Sequence, residues 1–213
     1  MSMDTLFPST FKKRWLRPIK QWVYRLFEVK SGILLSQSVV DVSVSEATRD
    51  NAPPHITEAR GMESGLPVSS EEFQRRTRQG NRLYQMHLDN QLVSWGWVAG
   101  AGSRIGVLHD LYLTVPEGAL YIWDCVTIPE YRGRGCFPRL LEGILCANRP
   151  TSTLALVAVD VRNGASRRAL VKAGFRPGFT YISVRTLGLG LFSIAFKGRN
   201  VGRAQPWFDA IGQ

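Results

Sequence analysis

The chain has 213 residues, 44% of them hydrophobic, with 27 Lys and Arg against 17 Asp and Glu. That apolar content can bury a sizeable core within one domain of ordinary size and excludes wholesale disorder. The basic surplus favours anionic partners, whether phosphate groups, nucleic acid or an acidic membrane face, without choosing among them. Three cysteines at 125, 136 and 146 lack metal-ligand spacing and read as reduced thiols of a cytosolic protein. No stretch reaches the ~20 apolar residues that a membrane-spanning helix needs.

In chain order, residues 11–27 (FKKRWLRPIKQWVYRLF) place Phe11, Trp15, Ile19, Trp22, Val23, Leu26 and Phe27 on one helical stripe. Lys12, Lys13, Arg17, Lys20 and Arg25 lie off it, and Pro18 kinks the helix or delays its start. Such a helix packs on the domain's own core, on a second subunit or on an anionic membrane surface. Residues 32–44 read as a short strand, and 45–70 as a loop with one short helix near His55–Gly61. Ser69-Ser70-Glu71-Glu72 supplies hydroxyls to cap a helix and carboxylates for its positive end.

From Arg82 the period changes to two. RLYQMHL and QLVSWGWVAG are strands joined by an Asp89-Asn90 turn, and SRIGVLHDLYLTV and ALYIWDCVTI extend the series. Trp95 and Trp97, alternating with Ser94 and Gly96, are a core signal. Residues 136–147 form an apolar helix, TSTLALVAVDV a buried strand, GASRRALVKAGF a helix closed by Gly174, and 179–196 a hairpin turning at Gly188-Leu189-Gly190. The layout is α/β.

The stretch YRGRGCFPRLL (131–141) follows a strand and opens the apolar helix. A helix start leaves backbone N–H groups unpaired and carries roughly half a positive charge. Gly133 and Gly135 let the chain turn those groups into one concavity, and Arg132 and Arg134 add fixed charge. Together they make a pyrophosphate-sized anion seat. No Lys-Ser or Lys-Thr follows, which excludes a nucleoside-triphosphate P-loop. Gly100-Ala101-Gly102 precedes a strand-like segment rather than a helix, so it reads as a hairpin loop and not a dinucleotide fingerprint.

V-T-I-P-E-Y-R-G-R-G (126–135) before an apolar helix resembles the acetyl-CoA-binding motif of the GCN5-related N-acetyltransferase (GNAT) superfamily, Arg/Gln-x-x-Gly-x-Gly/Ala. N-G-A-S-R-R-A-L-V-K-A-G-F (163–175) is similar to that family's second signature. The resemblance covers roughly residues 56–198. It implies a mixed, mostly antiparallel central sheet with flanking helices, in which strands bearing 120–128 and 153–161 (the family's fourth and fifth) splay apart. It divides the chain into an N-terminal amphipathic helix and extension (1–50), an acyltransferase domain (51–200) and a C-terminal tail (201–213).

The resemblance further implies that acetyl-CoA is the co-substrate, with no metal. Backbone groups of Cys125, Val126 and Thr127 would pair with its pantetheine arm, and N–H groups from Arg132 through Gly133, Arg134, Gly135 and Cys136 to Phe137 would hold its diphosphate. Asn163 would bond the pantetheine, and Arg167 or Lys172 a phosphate. Bulky Phe137 would narrow the seat, and Leu170 stands where many members carry an acidic Tyr. Asp124, His109 and Asp160 are the candidate bases for direct transfer to a primary amine. The acceptor, a small-molecule or sugar amine, would be chosen by residues 56–80 and 186–192, including Glu58, Glu63, Glu71 and Glu72. The expected setting is cytoplasmic, with peripheral membrane contact or a homodimer through residues 11–27. Nucleic acid is disfavoured, because the arginines form no long run and no recognition motif appears. An inactive acyl-CoA binder, or a basic binder of nucleic acid or anionic membranes, is the alternative.

Overall fold

The computed structural model describes residues 27–40, 55–63 and 65–211. The chain's first described strand, β1 (Phe27–Ser38), enters the middle of a nine-stranded sheet. It is followed by β2 (His55–Glu58), α1 (Ser70–Arg78), β3 (Arg82–Leu88) and β4 (Gln91–Ala99). Then come β5 (Arg104–Leu108), β6 (Leu111–Thr114), β7 (Ala119–Thr127), α2 (Cys136–Asn148) and β8 (Leu154–Asp160). The chain closes with α3 (Gly164–Lys172), β9 (Arg176–Thr186), β10 (Leu189–Lys197), β11 (Asn200–Arg203) and α4 (Ala204–Asp209).

The sheet order is β11-β10-β9-β1-β8-β7-β4-β3-β2, and β5–β6 pair separately. Every paired neighbour is antiparallel except β7 and β8, whose connection carries α2 across one face. Local signals set several elements. Ser69 caps α1 by accepting from the Glu72 N–H at 3.2 Å. Asp89 and Asn90 both take positive φ, 50° and 62°, in the two-residue turn between β3 and β4.

Three clusters make the core. Leu140, Leu141, Ile144 and Leu145 of α2 pack with Leu120, Ile122 and Leu170 on one face of the sheet. Each such side chain contributes about 1.5–3 kcal/mol on burial. On the opposite face, the β5–β6 hairpin and α4 cover Leu34, Tyr121, Leu156 and Tyr181, and Phe73 of α1 packs on Leu83, Trp95 and Trp97.

Three expectations are corrected. Residues near His55 form an edge strand paired with β3, because Ile56 is drawn against the α2 core. The strand expected at 32–44 begins at Phe27 and sits between β8 and β9, so residues assigned to the extension belong to the sheet. The expected tail is folded: β11 extends the sheet, and Phe208 of α4 is 1% exposed. Residues 11–26 lie outside the described residues.

Candidate active site

The parallel pair holds together only at its start. β7 and β8 pair from Ala119↔Leu154 to Ile122↔Val157, yet β7 runs on to Thr127 and β8 to Asp160. Beyond Ile122 the two strands share no ladder, and a gap opens between them. Its cause on the β7 side is a bulge against β4: the register shifts between Trp95 and Trp97, and Asp124 takes φ 47°. The extra residue turns Cys125 towards the α2 face, where its Sγ lies beside Leu140 and the Gly96 backbone. Burial and then the adjacent Asp124 carboxylate push the Cys125 thiol up to about 12, so it remains a thiol at neutral pH.

Past the bulge, the Ile128 N–H donates to the Val93 carbonyl. Antiparallel alternation therefore turns Val126 to β4, and the Val126 carbonyl also accepts from Ser94 Oγ at 2.8 Å. Thr127 turns its N–H and carbonyl to the gap, where Arg132 Nε donates to the carbonyl at 3.1 Å.

The chain then makes one 3-10 turn at Pro129–Tyr131 and enters the Gly133–Gly135 turn. Both glycines have left-handed φ, 76° and 77°, and a Cβ on either would meet nothing within 4 Å. Both therefore face open space. Gly135 caps α2 without a side-chain bond, and no backbone acceptor among the described residues takes the N–H groups of Gly133, Arg134, Gly135, Cys136 or Phe137. Arg134 lies over the Tyr131 ring at 5.2 Å, exposed beside the turn. Phe137 does not narrow the seat: its ring packs on the α2-face core while its N–H stays in the turn. Leu170 is 1% exposed in the same core, so α3 presents no acid at that position.

The β8 lip carries Asp160, Asn163 and Arg167. Asp160 Oδ1 accepts from the Arg162 N–H at 2.6 Å, and Asn163 Oδ1 caps α3 by accepting from the Ser166 N–H at 3.0 Å.

Asp124 stands on the β7 lip, with Arg76 Nη1 donating to its Oδ2 at 2.5 Å. Arg76 also donates to Glu72 and lies over the rings of Trp97 and Trp123 at 5.1 and 4.6 Å. No sequence pattern marks Arg76, because its partners lie on three elements. His109 is not part of this site. Its ring packs across the sheet from α2, with Nδ1 3.0 Å from Ser183 Oγ and Nε2 3.5 Å from Glu28, and β1 and β8 stand between Ser183's strand and the gap. Of the four glutamates in the acceptor segment, Glu72 is held by Arg75 and Arg76, Glu63 by His87 at 3.0 Å and Glu58 by Tyr84 at 3.2 Å.

A mostly antiparallel mixed sheet, its parallel pair parting beside a glycine-entered helix, has the layout that the resemblance to the GNAT superfamily implies. No family model matches the chain, and no curated protein does. Among solved structures, a Drosophila protein is similar over 86% of this chain and 60% of its own, at 11% identity and TM-score 0.53. An acetyltransferase from the GNAT family of Colwellia psychrerythraea is similar over 85% of this chain and 62% of its own, at 15% identity and TM-score 0.48. A GCN5-related N-acetyltransferase from Sphaerobacter thermophilus is similar over 82% and 56%, at 18% identity and TM-score 0.45. The chain thus spans about 60% of the length of these structures, and at 11% identity the likeness to the Drosophila protein is one of fold.

Proposed function

We propose that the protein is an acyl-CoA-dependent N-acyltransferase that moves an acetyl group from acetyl-CoA to a primary amine. The observation that carries this reading is the set of unbonded N–H groups at Gly133–Phe137, opening beside a gap between two parallel strands. The diphosphate of coenzyme A sits on those donors, with Arg134 adding charge. The pantetheine arm lies along β7 in the gap, bonding the outward backbone of Cys125 and Thr127, and Asn163 meets it from the other lip.

A neutral amine nitrogen attacks the thioester carbon, and the carbonyl oxygen becomes an oxyanion held by the Thr127 N–H. The C–S bond breaks, the coenzyme A thiolate leaves, and the amine proton passes through water to Asp124 or Asp160. Arg76 holds one oxygen of Asp124 and leaves the other to accept. Water protonates the thiolate, since Leu170 offers nothing. That missing acid favours a second reading, an acyl-CoA binder without turnover.

The test is thiol release from acetyl-CoA across a panel of amines, beside a calorimetric titration. Binding with release above the uncatalysed rate supports the transferase, and binding without release for any amine supports the inactive binder. Absence of binding overturns both.

A further inference from the structure

The outer strands of the sheet are apolar on both faces, and the described residues cover only one. On β9 and β10, Tyr181, Ser183 and Ala195 are 2%, 4% and 0% exposed beneath the β5–β6 hairpin and α4. Their alternates point the other way. One row there runs Val29, Val184, Phe192, and another Ile33, Thr180, Phe196, Val201 across four strands. Val29 is 47%, Phe192 55% and Val201 67% exposed. Strands apolar on both faces normally lie between two layers. This face continues the one that α2 and α3 cover nearer the gap, where Ile33 already touches their core. A layer is missing beside those helices.

We infer that residues 11–23 of this chain form that layer, as a helix laid across β1, β9, β10 and β11 with its apolar stripe inward. The segment enters the sheet at Phe27, two residues before Val29 on the same bare face, opposite Thr186 and level with Leu189. Thirteen residues, helical on either side of a kink at Pro18, reach at most ~20 Å, and four strands spaced ~4.8 Å apart need ~14 Å. Residues 24–26 suffice to turn from helix to strand. The stripe supplies what the face lacks, Phe11, Trp15, Ile19 and Trp22, while Lys12, Lys13 and Lys20 stay in water. An anionic membrane or a second copy of the chain is the rival occupant, and each gives a different result below.

The full chain is digested with dilute trypsin and cutting after Lys20 is followed by mass spectrometry, with sedimentation reporting the oligomeric state. A docked helix makes this cut slow at concentrations where the protein is monomeric and without lipid. Phe192→Asp on the face and Trp22→Asp on the segment each speed it roughly tenfold or more, because cleavage follows the undocked population. The double variant adds little to either. Trp22→Asp lies outside the sheet, so it carries the test if Phe192→Asp fails to fold. The inference is overturned if Lys20 is cut as fast in the wild type as in both variants. It is equally overturned if protection appears only with phosphatidylglycerol vesicles, or only as concentration drives dimerisation.

Discussion

Two Gly-x-Gly turns, R-G-R-G at 132–135 and L-G-L-G at 187–190, look alike as sequence and behave oppositely as structure. Gly133, Gly135 and Gly188 all take left-handed φ with open space beside them. After Gly188 a strand returns at once, and Leu189 pairs with Thr186, so the ladder absorbs the turn's backbone groups. After Gly135 a helix leaves, and a helix cannot bond its own first N–H groups. The difference teaches that glycine spacing alone does not decide whether a turn's donors are left without backbone partners; the proposed anion seat rests on those donors.

The sharpest way to break the comparison is to put the same side chain in both turns. Gly135→Val and Gly188→Val each force a left-handed φ on a branched residue, about 1–2 kcal/mol of strain. Thermal melts should fall by similar amounts. Calorimetry should separate them: Gly135→Val loses acetyl-CoA affinity roughly a hundredfold, as bonds to charged oxygens are lost, and Gly188→Val keeps it. Next in size, Arg134→Ala should weaken acetyl-CoA about three- to tenfold at low salt, with the difference shrinking as salt rises. Arg185→Ala, near the second turn, should change affinity little.

Smaller effects come from the β7 lip. Asp124→Ala leaves Arg76 over two indole rings with Glu72 as its remaining carboxylate. The pair is partly exposed, so the stability loss should be about 1 kcal/mol or less by denaturant titration. Smallest of all is a pH effect. Bonds from Arg75, then Arg76, hold the Glu72 carboxyl down from 4.5 to about 2. A depressed carboxyl stabilises the fold above its unfolded value, and that stability is lost as pH falls from about 4.5 towards 2. Melting differences between the wild type and Glu72→Gln should therefore be present at pH 7 and vanish near pH 2.

What was legible in the sequence was local. The Ser69 cap, the Asp89-Asn90 turn, the helix from Cys136 and the strand at 154–160 each follow from residues within a few positions of one another. The glycine turn into α2 was legible for the same reason, since a strand, two glycines and a helix start are contiguous. The place of β1 was not, because its partners β8 and β9 lie more than a hundred residues away and an apolar run does not name its neighbours. His109 failed as a base candidate on similar grounds: its turn brings it to Ser183, across the sheet from the gap. His55–Glu58 misled because four residues carry too little period to separate strand from helix.

The most direct measurement is an amide NMR titration of the full chain with coenzyme A. The account predicts saturable shifts at Gly133, Gly135, Cys136 and Phe137, with Leu187–Gly190 unmoved. Saturation of coenzyme A binding elsewhere, with those four amides unmoved, would contradict it.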